Sequence, residues 1–200
     1  NFGNDGAVIV AHENVRKRLS TEQHNKAFNR TTPPAPKIAW PTITFDENMS
    51  FYLNGQQMML IHVHDAHTDG DSFVFFPNSN VIHMGDCFFK DRFPYIDLGS
   101  GGSVKGAIKA IELALMMVDD ETIIIPGHGT IATKTDLDIY YKMLTTLYER
   151  VDSRFQKGES LEAIQNANLT ADYPGWGSGF IDDKKIIDII WTSIDAQSSK

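Results

Sequence analysis

AHTDGDSFVFFPNSNVIHMGDCFF, residues 66–89, contains two short apolar runs, Ser72–Phe76 and Val81–Met84, on either side of the turn Pro77-Asn78-Ser79-Asn80. Alternating aromatic and β-branched residues around such a turn read as an antiparallel strand pair. Each run is flanked by metal-competent side chains: His67, Asp69 and Asp71 precede the first strand, and Gly85-Asp86 follows the second. A third segment has the same design, the apolar Ile123-Ile124-Ile125 leading into Pro126-Gly127-His128-Gly129. Neighbouring strand ends converge on one edge of a sheet, and glycine beside a ligand lets the backbone turn and approach closely. Neutral imidazole suits zinc, and a carboxylate adds charge and can bridge two ions.

Outward from this stretch, the pattern predicts a mixed α/β chain. Strands are expected at Ala7–Ala11, Thr42–Phe45, Ser50–Leu53, Gln57–Val63 and Glu121–Ile125. Asn54-Gly55 is the signature of a type I′ hairpin turn. Helices are expected over residues 12–29, from the N-cap Ser103 to about Val118, over Thr135–Gln156, and over 160–167 and 183–195. Three prolines at 33, 34 and 36 form a connector after the first helix. Gly99–Ser103 precedes neither a Lys-Ser/Thr pair nor a dinucleotide fingerprint, so it reads as a loop near the site mouth.

Composition narrows the function classes. The chain has 200 residues, of which 42% are apolar, and its net charge is −8. The charge argues against a nucleic-acid partner held through phosphates. No apolar run approaches membrane-spanning length, so no membrane partner is expected. One cysteine, Cys87, excludes an internal disulfide framework and a thiolate-only metal site. The compartment stays open between cytoplasm and periplasm.

The set AHTDGD, then GD after a strand, then PGHG resembles the metallo-β-lactamase-fold hydrolases over nearly the whole chain. The resemblance implies one αββα sandwich spanning residues 1–200, with the metals at one edge of paired sheets. It implies His67 as a ligand of a first metal, Asp86 as the carboxylate bridging two metals, and His128 as a ligand of the second. It also implies two zinc ions, with metal-bound water attacking a carbonyl-type ester, thioester, lactone or amide of a small-molecule substrate. The family's HxHxDH segment is expected upstream of NFGNDGAVIVAHENV and is not in this chain, so the chain reads as N-terminally incomplete and inactive by itself.

His62-Val63-His64-Asp65-Ala66-His67 imitates that motif with its Asp one position early. His62 and His64 are therefore read as residues on one strand face, in supporting or pocket roles, with direct metal contact as the other reading. Asp69 and Asp71 either orient His67 or cap the turn. Cys87, next to Asp86 on a strand, points the opposite way and reads as a buried small residue. Phe93, Tyr95 and Trp176 are expected in core or loop packing, with a pocket wall as the other reading. His12 and His24 are expected to be solvated. Two alternatives remain: a non-catalytic fragment persisting as a homo-oligomer that covers an exposed sheet edge, and an iron-dependent redox member of the same fold.

Overall fold

The computed structural model describes residues 2–25 and 30–198. Its framework is a five-stranded sheet of β5 (Asn48–Leu53), β6 (Gln56–His62), β7 (Ser72–Phe76), β8 (Val81–Phe89) and β9 (Ile123–His128), in that spatial order. β5 to β8 pair antiparallel, and β9 joins β8 in parallel. Asn54 and Gly55 take φ of 53° and 74°, the two positive values that a type I′ turn requires.

A parallel partner needs a crossover, and α2 (Val104–Met117) supplies it between β8 and β9. Ser103 caps α2 by accepting the Gly106 N–H at 2.9 Å. α3 (Lys134–Phe155) opens on a reciprocal Thr133–Asp136 cap. The short α4 (Leu161–Gln165) and the long α5 (Asp183–Ser198) complete the helical layer. Buried residues recur at helical spacing: Ala107, Ala110, Ile111 and Ala114 on α2, and Leu137, Tyr140, Leu144, Leu147 and Val151 on α3. With Ile186, Ile187, Ile190 and Ile194 of α5 they form one core with Phe73, Ile82, Met84 and Phe88 of the sheet.

β8 departs from strict alternation. Ile82 and Met84 are buried and His83 is exposed, but the register with β9 shifts around Gly85, which sits at φ 55°. A glycine at positive φ inside a strand marks a bulge, and bulges re-aim the side chains that follow. The residue that follows is Asp86.

The N-terminal quarter differs most from its sequence reading. β1 (Val10–His12) is shorter than the expected strand, and Val8 is 67% exposed. The helix expected over 12–29 ends early: α1 covers Glu13–Ser20, and none of its residues is buried. Thr21 is extended, and the Ser20 and Thr21 hydroxyls both donate to the Lys17 carbonyl. Such side chains offer the backbone an alternative to another helical turn. β2 (Gln23–Asn25) and β3 (Arg30–Thr32) then pair antiparallel, while residues 26–29 of the expected helix lie outside the described residues. β4 (Ile43–Phe45) pairs in parallel with β1. No helix among the described residues is long and apolar enough to cross a membrane.

Candidate metal centre

β6, β8 and β9 run in one direction, so their C-terminal ends open on one edge of the sheet together with the start of β7. The loop after β6 carries His67, the bulged end of β8 carries Asp86, and the end of β9 carries His128. Asp86 stands between the two imidazoles. Its Oδ1 is 3.5 Å from His128 Nε2 and its Oδ2 is 4.0 Å from His67 Nε2. The His128 ring is stacked on Phe89 at 4.8 Å, which fixes its plane. β9 approaches this closely because residue 127 is glycine: a Cβ there would fall 2.1 Å from Asp86 Oδ1.

The donor set fits zinc in kind. Two imidazoles face one carboxylate, which presents one oxygen to each, the arrangement of a bridging ligand. In number it is short. Each half of the site offers one nitrogen and one oxygen, where catalytic zinc takes three protein ligands. Accordingly, among the described residues no group of three or more His, Cys, Asp or Glu side chains is arranged to enclose an ion.

Asp71 supports His67 from behind, with its Oδ1 3.7 Å from His67 Nδ1. Its own carboxylate is held by the Thr68 N–H at 2.7 Å, the Thr68 hydroxyl at 2.6 Å and the Cys87 thiol at 3.5 Å. Burial alone would raise the Asp71 carboxyl, but His67 and Thr68 bring it below its ordinary value. Burial would lower the His67 imidazole, and the neighbouring Asp71, with Asp86 and Asp97, more than reverses this and raises it. Stabilisation from a raised imidazole is complete below its unfolded value of about 6.5 and is lost as pH rises through the folded one. Stabilisation from a lowered carboxyl is complete above about 4 and is lost as pH falls through its folded value. The pair therefore contributes most between those limits. Asp71→Asn is expected to lower the His67 pKa, read from the ring proton shifts of the metal-free chain. An unmoved titration would deny Asp71 this role.

Asp69 does not face His67. Its carboxylate pairs bidentately with Arg18, at 2.8 Å to Nε and 2.5 Å to Nη2, and its carbonyl accepts the Asn14 side-chain amide at 2.8 Å. It ties α1 to the loop. His62 and His64 do lie side by side, their rings edge-on at 4.5 Å. The His62 ring Nδ1 is 2.8 Å from the Asp71 carbonyl, and exposed His64 Nε2 lies 3.4 Å from Glu47. His12 is not solvated: it is 7% exposed, it caps α1, and it stacks on His62 at 3.7 Å. Its stacking partner lies on β6, far along the chain, and no local pattern announces this. His24 is exposed, as expected. Burial pushes the Cys87 thiol well up, which leaves it an inert packing residue. Trp176 packs against Phe93, Tyr140 and Tyr173, whereas Phe93 and Tyr95 both touch the core and line a cavity beside Asp86.

The surrounding fold agrees with what known proteins show. The family model described as the metallo-beta-lactamase superfamily matches residues 4–128, and the chain belongs to that superfamily. Membership makes it kin to metal-dependent hydrolases. An uncharacterized protein of Mycobacterium tuberculosis, Rv2581c, is 32% identical over 56 residues, 28% of this chain and 25% of that protein. A metallo-beta-lactamase from Pontibacter korlensis superposes with a TM-score of 0.56 at 18% identity, over 71% of this chain and 60% of that one. A stereoselective inverting sec-alkylsulfatase, Pisa1 from Pseudomonas sp., superposes with a TM-score of 0.59 at 15% identity, over 81% of this chain and 27% of that one. At these identities the two structures share the fold, and the chain spans less than two thirds of each relative's length.

Proposed function

We propose that this chain carries part of a dizinc hydrolase site, in which His67 and His128 each serve one ion and Asp86 serves both. One observation carries the reading: the Asp86 carboxylate turns a different oxygen toward each imidazole. Zinc, when bound, supplies Lewis-acid polarisation of a scissile carbonyl and a hydrolytic nucleophile at neutral pH. The chain's own contribution is position. Asp71 orients the His67 ring so that Nε2 faces the site, Phe89 holds the His128 ring, and the Gly85 bulge aims Asp86 between them. The substrate class is a small molecule with an ester, thioester, lactone or amide carbonyl. With two protein donors per ion, the chain by itself is without hydrolytic activity in this reading.

Zinc added to the chelator-stripped chain is expected to shift the His67 and His128 ring resonances together, and to saturate only with excess zinc. Zinc that leaves both rings unmoved overturns the ligand assignment. Tight uptake of two ions together with hydrolysis overturns the inactivity.

A further inference from the structure

Asp86 and His128 also form part of the wall of a cavity of about 260 Å³. The remaining wall is largely aromatic, made by Phe89, Phe93, Tyr95 and Phe180. Phe89 and Phe93 are buried, while Phe180 is 62% exposed and meets Tyr95 edge-on at 6.0 Å. Tyr95 meets His67 in the same way at 5.9 Å, so the aromatic wall runs from His67 out to the rim.

One cation lines this cavity, Arg92. Neither neighbouring lysine lines the cavity: Lys90 pairs with Asp136 at 3.1 Å, and Lys185 lies over the Phe180 ring with Asp182 3.8 Å from its ammonium. Arg92 has no hydrogen bond or ion pair among the described residues, and Asp86, the one carboxylate lining the cavity, is beyond ion-pair distance of it. The chain as a whole, at −8, repels anions. An arginine without an acidic partner, set among aromatic rings, is the local exception. A guanidinium matches a carboxylate in both shape and charge.

We propose that this cavity selects a small carboxylate-bearing substrate with an aryl or branched apolar body. Arg92 takes the carboxylate, Phe93, Tyr95 and Phe180 hold the body, and the scissile group is presented to the edge formed by Asp86 and His128. Calling the ligand a substrate rests on the hydrolase reading above, whereas its recognition depends on Arg92 and the aromatic wall alone. The cavity volume is slightly below the usual range for drug-sized ligands, about 300–1,000 Å³, which favours a compact molecule.

The test is an amide-resolved NMR titration of the chain, kept metal-free with chelator at about pH 8, with phenylacetate and its neutral isostere phenylacetamide. Phenylacetate is expected to shift the amides of residues 89–93 and 179–181 and to bind about fivefold more tightly than the amide. Arg92→Gln is expected to abolish that preference, and Phe180→Ala to weaken both ligands alike. Equal affinity of the two probes, a preference that survives Arg92→Gln, shifts confined to other surfaces, or no binding would each overturn the proposal. Without metal in the tube, failure here is separable from failure of the zinc reading: a chain that ignores zinc yet prefers phenylacetate keeps the anion site and loses the hydrolase.

Discussion

Gly106→Ala is expected to destabilise the chain by about 2–3 kcal/mol, measured by urea denaturation. The sign is what makes the experiment decisive, because glycine to alanine inside a helix ordinarily stabilises by about 1 kcal/mol. Gly106 lies in the first turn of α2, where a Cβ would stand 2.0 Å from the Asp65 carbonyl oxygen and 2.9 Å from that of His64. These atoms are backbone and cannot swing aside. The Asp65 carbonyl also accepts the Ser103 N–H at 2.8 Å and the Ser103 hydroxyl at 3.1 Å, and Asp65 itself sits at φ 49°. Making room for a methyl group would therefore disturb the cap of α2 and the strap leading to His67 at once. Lys105→Ala, one residue earlier and exposed, is the control and should change little. A stabilised Gly106→Ala protein would show that the helix and the strap are not in contact.

Asp86→Asn is expected to lower zinc affinity on the order of 100-fold, roughly one ligand's share of the free energy with which four ligands hold structural zinc. The change keeps the size of the side chain and removes its charge. It also sets an amide nitrogen against one of the two imidazoles that each face a carboxylate oxygen now. The zinc concentration that half-shifts the His67 and His128 ring resonances reads the loss. Lys105→Ala, exposed on α2 and outside this cluster, is the comparison, and affinity should stay where it is. Equal affinity for Asp86→Asn and the parent chain would remove Asp86 from the site.

The parts of this molecule that were legible from sequence are those whose signals are local. Asn54-Gly55 specified its turn, Ser103 its helix, and the alternation in Ser72–Phe76 its strand, because each depends on backbone chemistry within a few residues. The convergence of His67, Asp86 and His128 followed from three strand ends on one edge. What escaped was decided by partners far along the chain. Residues 12–29 carry scattered apolar positions at helical spacing, yet no face of α1 is buried, so nothing in the core holds the helix past Ser20. Asp69 had equal claims to His67 and to the turn until Arg18, distant in sequence, took both its oxygens. His12 reads as an exposed polar residue because its stacking partner, His62, is 50 positions away. Gly106 looks like an ordinary glycine in a helix, since the carbonyl it makes room for lies on another element. Arg92 looks like any surface arginine until it is found lining one cavity with Phe93, Tyr95 and Phe180.

The Arg18–Asp69 pair and the Asn14 amide on the Asp69 carbonyl join the N-terminal quarter to the loop after β6, and the His12–His62 stack joins it to the last residue of β6. None of these ties is internal to the five-stranded sheet. The loop that presents His67 therefore belongs, in its cooperativity, to α1 and β1 as well as to the strands it connects. Fraying of α1 would remove one of the two sets of ties on this loop without any strand separating, leaving His67 held from the other side by the Asp97 N–H on its carbonyl.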